Sequence, residues 1–220
     1  MFLALADPAA AQEQVSFPTE DGGVVYADLY GAGKRGVVLA HGGRFNKGNW
    51  EKQARELAKA GFRVLAIDFR GYGKSRGAGG ADPMSAPLHL DVLAAVRYMR
   101  KTGAKTVSVV GASMGGGAAA DAAIAAPGEI ERLVLLGSEA GTGRVGPPEK
   151  LKGRKLFIVA RDDTRGDGLV RLVKIREQYE KAPEPKELVI LEGSAHAQFI
   201  FETDQSERLM REILRFLTAP

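Results

Sequence analysis

Cysteine is absent from the 220-residue chain, which excludes disulfides, thiolate catalysis and cysteine-ligated metal sites. That absence fits a reducing or an oxidising compartment equally. No apolar run approaches the ~18 residues that a membrane span needs, so none is expected. An excess of one charge is also lacking. Lys and Arg number 31 against 27 Asp and Glu, a net charge of +4, and the basic residues are scattered among acids. A nucleic-acid or anionic-membrane role is therefore not suggested. Histidine is scarce, with three in the chain, so any chemistry that needs an imidazole must draw on His41, His89 or His196.

What is present is ordinary for a globular domain: 45% hydrophobic and 26% charged residues. The length suits one domain with a substantial core. No internal repeat, linker or low-complexity tract divides it, and residues 14–220 read as that single domain. Residues 1–13 read as a flexible tail, which favours a cytoplasmic chain. The other reading is the remnant of a truncated export signal. Phe2 to Ala6 is apolar and Ala9-Ala10-Ala11-Gln12 resembles a cleavage site, but the run is short and no Lys or Arg precedes Lys34.

Apolar, β-branched runs predict eight strands. They lie at 14–17, 24–30, 37–40, 63–67, 107–110, 133–136, 156–160 and 188–191. Helices are predicted from Asn49, as cap, to Ala60; from about Ala86 to Lys101; over Ala118 to Ala126; and from about Leu169 to Lys181. A last one runs through Leu217 behind a capping box at Asp204-x-x-Glu207. Strands alternating with helices give an α/β fold, a mostly parallel eight-stranded sheet with an antiparallel start and helices on both faces. Glu139 to Arg154, rich in Gly, Pro and charge, has no helical period, so no cap domain is expected.

Val107-Ser-Val-Val-Gly111-Ala-Ser113-Met-Gly115 places Gly-x-Ser-x-Gly between a strand and a helix, the context of a nucleophile elbow. Two other glycine patterns fail. Gly141-x-Gly143-x-x-Gly146 is followed by Pro147-Pro148 rather than the helix a dinucleotide site needs. Gly73-Lys74-Ser75 would require glycine where Asp68 stands for a phosphate loop.

A serine hydroxyl needs an adjacent base, itself oriented by a third group. His89 is expected in a helix remote from the strand ends. His196, in the loop after the last strand, is the expected base. Asp162 and Asp163 lie just past a strand end and either could orient it, with Glu139 a third candidate. The order Ser113, Asp163, His196 matches that of the α/β-hydrolases.

The chain resembles the α/β-hydrolase superfamily over residues 14 to 218. The resemblance rests on His41-Gly42-Gly43, the Asp68-Phe-Arg70-Gly71-Tyr-Gly73-Lys-Ser75 stretch, the elbow, and the Asp163 and His196 positions. His41-Gly-Gly-Arg44-Phe45 followed by Trp50 is similar to compact, lidless members such as CCG1-interacting factor B. The resemblance implies an acid three residues after Ala160, which is Asp163. It also implies an oxyanion hole formed by the backbone N–H groups of Met114 and Gly43. Arg44 is expected either to line the substrate pocket or to pair with an acid, and the Asp68 to Ser75 stretch to be a structural turn. The implied activity is a serine hydrolase acting on a small-molecule acyl substrate, with no metal or organic cofactor, and a short-acyl carboxylesterase in particular. A thioesterase or deacylase, a small peptidase, and a hydrolase fold used for binding remain open.

Overall fold

The computed structural model describes residues 12–79, 86–140 and 144–220. The tail or signal reading of residues 1–11 lies outside them, as do the first two glycines of the Gly141-x-Gly143 pattern. Strands β1 (Gln12–Pro18), β2 (Val24–Tyr30), β3 (Arg35–Ala40), β4 (Phe62–Ile67), β5 (Thr106–Ala112), β6 (Arg132–Leu136), β7 (Arg154–Ala160) and β8 (Lys186–Leu191) form one sheet. Their order is β1-β2-β4-β3-β5-β6-β7-β8. β2 pairs antiparallel with both β1 and β4, and the remaining pairs are parallel. The eight expected strands are all present, most of them extended by one or two residues at the start.

Side chains alternate across the sheet into two cores. Along β3, Val38 and Ala40 enter one and Val37 and Leu39 the other. Helices α2 (His89–Lys101), α3 (Met114–Ala125) and α4 (Arg171–Lys181) contribute to the first, and α1 (Glu51–Lys59) and α5 (Ser206–Thr218) to the second. Because both faces are covered, the central parallel strands are near-continuous apolar runs rather than alternating, with Ser108, Arg132 and Lys155 as buried polar exceptions. In α5 the buried Leu209, Met210, Ile213, Phe216 and Leu217 follow the helical period and form one stripe. α3 has no polar face at all, and Gly115 through Ile124 are buried.

Helix starts differ from expectation: α2 begins three residues late and α4 two, and the other three are set by their neighbouring turns. Asn46, not Asn49, is the cap: it caps a 3-10 turn, Lys47–Trp50, and Asn49 returns a bond to the Asn46 N–H before α1 begins. The Asp204 capping box does not form. Ser206 N–H closes a turn on the Thr203 carbonyl at 3.1 Å, so α5 begins at Ser206 with Gln205 at its N-cap and no side-chain cap bond. α3 begins at Met114, four residues early, directly off the elbow.

Between β6 and β7 the described residues hold a single 3-10 turn, Pro148–Lys150, and no cap helix. Among the described residues no helix is long and apolar enough to cross a membrane. The Asp68 to Ser75 stretch is a structural turn, as expected. Buried Arg70 bonds Asp91 on α2 and Asp21 in the β1–β2 turn, and Asp68 accepts the Lys47 N–H at 2.8 Å. Burial raises the Asp91 carboxyl pKa, and the Arg70 guanidinium works against that.

Candidate active site

Parallel strands end on one edge, and the chemistry-bearing residues collect there. Ser113 follows β5 with φ 50° and ψ −116°, a positive φ that a non-glycine residue rarely adopts. Such a conformation costs on the order of 1–3 kcal/mol and persists only where its surroundings enforce it. Here they do. Ser113 N–H donates to the Leu136 carbonyl at 2.9 Å, and the Ser113 carbonyl accepts from Gly116 and Gly117. A Cβ on Gly111 would stand 2.5 Å from the Gly115 carbonyl oxygen, and one on Gly115 would overlap the Ala40 backbone. Gly116 belongs to the same set, which the motif did not reveal: a Cβ there would overlap Ser138 and approach the Gly111 oxygen to 2.9 Å.

His196 lies beyond β8 and points back over the edge. Its Nε2 is 2.8 Å from Ser113 Oγ, and its Nδ1 is 2.7 Å from Asp163 Oδ2. A carboxylate accepts only, so Nδ1–H donates to Asp163 and Nε2 is left to accept the serine proton. Asp163 is 1% exposed, whereas Asp162 is exposed. Glu139 instead faces Arg165 and Gln178. The second Asp163 oxygen lies 3.2 Å from Arg171 Nε, an ion pair whose angle is too poor for a hydrogen bond. Arg171 N–H also donates to the Asp163 carbonyl, so the first residue of α4 grips the acid twice.

His41, the residue after β3, is fully buried, and it is no part of this chain of bonds. The Phe69 N–H is a donor, so His41 Nε2 must accept it at 3.2 Å, and Nδ1–H donates to the Gly42 carbonyl at 2.8 Å. Burial holds its pKa below the ordinary histidine value. Phe45 N–H closes a turn on the same Gly42 carbonyl. Gly43 occupies the second position of that turn. A Cβ there would lie 3.8 Å from Met114 Sδ, so the Gly43 turn sits against the Met114 side chain. Met114 is the first residue of α3, where a helix leaves N–H groups without internal acceptors. Tyr72, from the stretch that reads as structural, donates its hydroxyl to the Gly43 carbonyl at 2.9 Å.

A cavity of about 610 Å³ opens beside Ser113, walled by Leu88, His89, Met114, Val145, Arg144 and Arg171. His89 thus corrects the expectation that it is remote. α2 begins at His89 rather than at Ala86, which puts the ring at the cavity rim instead of one turn inside the helix. Arg44 is exposed and is not among the residues walling this cavity. No acid among the described residues pairs with it. A hollow of about 640 Å³ between α1 and α5 has no nucleophile–base pair near it. Among the described residues no cluster of three His, Asp or Glu could hold a metal ion.

The family model described as the alpha/beta hydrolase fold matches residues 36–178. The chain belongs to the α/β-hydrolase family. Among curated relatives, a 2-hydroxy-6-oxononadienedioate/2-hydroxy-6-oxononatrienedioate hydrolase of Cupriavidus pinatubonensis is 35% identical over 139 residues, covering 60% of this chain and 46% of that protein. The chain spans about half the length of the curated relatives it matches. An esterase of Pyrococcus furiosus superposes with a TM-score of 0.79 at 20% identity, covering 99% of this chain and 95% of that one. A Thermoplasma acidophilum protein described as a predicted CIB-like hydrolase does so with a TM-score of 0.70 at 20% identity, covering 94% and 99%. These two likenesses are of fold.

Proposed function

We propose that this α/β-hydrolase cleaves short-acyl carboxylic esters through a Ser113–His196–Asp163 triad and an acyl-enzyme intermediate. The observation that carries the reading is the unbroken run of bonds from Ser113 Oγ through His196 to Asp163, at 2.8 and 2.7 Å. His196 takes the serine proton as Oγ attacks the carbonyl carbon. Asp163 holds the tautomer and stabilises the imidazolium that forms. The N–H groups of Gly43 and Met114 receive the oxyanion, each contributing about 3 kcal/mol to the transition state, with the α3 N-terminus adding favourable potential. His196 then protonates the leaving alcohol, and water releases the acid by the same steps in reverse.

The open cavity and the absence of a cap helix among the described residues between β6 and β7 support small acyl groups. Hydrolysis of p-nitrophenyl acetate or butyrate is expected well above that of palmitate, and equal or faster palmitate turnover sinks the short-acyl reading. A fluorophosphonate probe should label the wild type and not Ser113→Ala. Labelling of both alike, or of neither, sinks the serine-hydrolase reading. A second reading, an acyl part that itself carries a carboxylate, is favoured by Arg144 and Arg171 on the cavity wall and opposed by Asp121 and Glu139 on the same wall. Faster cleavage of mono-p-nitrophenyl succinate than of the butyrate would select it.

A further inference from the structure

After β8 the chain crosses the sheet edge as His196-Ala197-Gln198-Phe199, and together these residues touch the loops after β3, β5, β6 and β7. His196 meets Ser113 and Asp163. Ala197, at φ 50°, packs so closely on the loop after β6 that a Cβ at Gly137 would lie 2.9 Å from its nitrogen. Gln198 is 4% exposed, and its Oε1 accepts the Gly42 N–H at 2.8 Å across 156 residues of sequence. The Phe199 ring lies 4.7 Å from the ring of Phe45, the residue that closes the turn on the Gly42 carbonyl.

We infer that Gln198, seconded by Phe199, is a positioning residue that clamps the oxyanion-donor turn to the loop carrying the base. The inference rests on the proposed serine-hydrolase reading. Its physical content lies in Gly42. The Gly43 N–H shares a peptide plane with the Gly42 carbonyl, so its direction is set by how Gly42 is held. Glycine has the widest backbone freedom of any residue. Here the carbonyl side of Gly42 is held by His41 and Phe45, and its nitrogen side by Gln198. Removing Gln198 frees one side and leaves a buried N–H without its acceptor. Because Gln198 sits two residues from His196, any shift of the base carries the donor turn with it. The proton acceptor and the oxyanion donor thereby keep one spacing.

The test compares p-nitrophenyl acetate with its thionoester, in which sulfur replaces the carbonyl oxygen. The charge then develops on sulfur, a weaker hydrogen-bond acceptor, so a well-placed donor favours the oxygen ester. Gln198→Met, similar in volume and lacking the acceptor, is expected to lower kcat on the acetate about 10- to 100-fold with KM nearly unchanged, the scale of an ~1 Å misplacement. It should narrow the oxygen-over-sulfur ratio of kcat/KM about tenfold, and Gln198→Glu, which keeps an acceptor oxygen, should restore most of that ratio. If Gln198→Met is too unstable to assay, Gln198→Asn, one methylene shorter, is held to the same ratio. An unchanged ratio, whether rates hold or both fall together, overturns the clamp while leaving the triad reading intact. A wild type that neither turns over the acetate nor is labelled at Ser113 overturns both.

Discussion

The elbow bearing Ser113 and the loop bearing Asp163 leave the same sheet edge with β6 between them, and they are built in opposite ways. The elbow is held by contact. Its helix is buried from Gly115 to Ile124, and three glycines are small because neighbouring backbone or Ser138 fills the space a Cβ would need. The acid's support is peripheral. In α4 only Ile175 is buried, Val173 and, just before the helix, Leu169 are 63% exposed, and Asp163 is steadied by a hydrogen bond to His196 and an ion pair with Arg171. Packing forces are short-ranged and unforgiving, whereas polar contacts tolerate adjustment. A change at the elbow should therefore cost both fold and function, and a change near the acid should cost function alone.

The largest expected effects test function on both sides. Ser113→Ala should lower kcat by about 10⁶-fold and Asp163→Asn by about 10⁴-fold. Asp162→Asn should leave turnover within about threefold, since that residue is exposed. Steady-state kinetics on p-nitrophenyl acetate decides it, and a larger loss at Asp162 than at Asp163 breaks the assignment. Next in size, Gly116→Ala should cost about 1–3 kcal/mol of stability through overpacking against Ser138 and the Gly111 carbonyl. Urea denaturation measures this, and a change under about 0.5 kcal/mol would remove the contrast between the two regions.

A smaller effect belongs to His41. Its folded pKa is depressed by burial, so the unfolded chain takes up a proton first as pH falls below the histidine range. Its contribution to stability is fully present above about pH 6.5 and declines as pH drops toward the lower folded value. Thermal unfolding across pH 7 to 5 should show a decline that is blunted in His41→Asn. An identical pH slope in both proteins would place the titration elsewhere. The smallest effect is expected on the exposed face of α4 and the residues leading into it, where Leu169→Ser combined with Val173→Ser should stay within about 0.5 kcal/mol in the same denaturation assay. A loss above about 1 kcal/mol would show that this face is covered in solution.

The positions of β2 and the core of every other strand follow from apolar runs, because a strand between two helical layers leaves little room for a polar side chain. Ser113 is legible for a related reason: a sharp turn demands Gly111 and Gly115 at fixed offsets. Helix starts are less legible. Asn49, Ala118 and the Asp204 box each satisfy a local capping or composition rule, and each lost to a neighbouring turn that sets the chain direction. That same weakness hid His89, since a shift of three residues at the start of α2 carries its ring from the helix interior to the cavity rim.

By itself the sequence determined the α/β layering, the elbow, and the chain order of serine, acid and histidine, all of which are written in residue type and short spacing. Only the tertiary structure decided which of two adjacent aspartates is buried against His196. It alone revealed that Gln198 meets Gly42 and that Tyr72 meets Gly43. Those contacts join residues 29 to 156 positions apart, through side chains with no local pattern. Their partners are chosen by which loops the sheet edge brings within hydrogen-bonding distance.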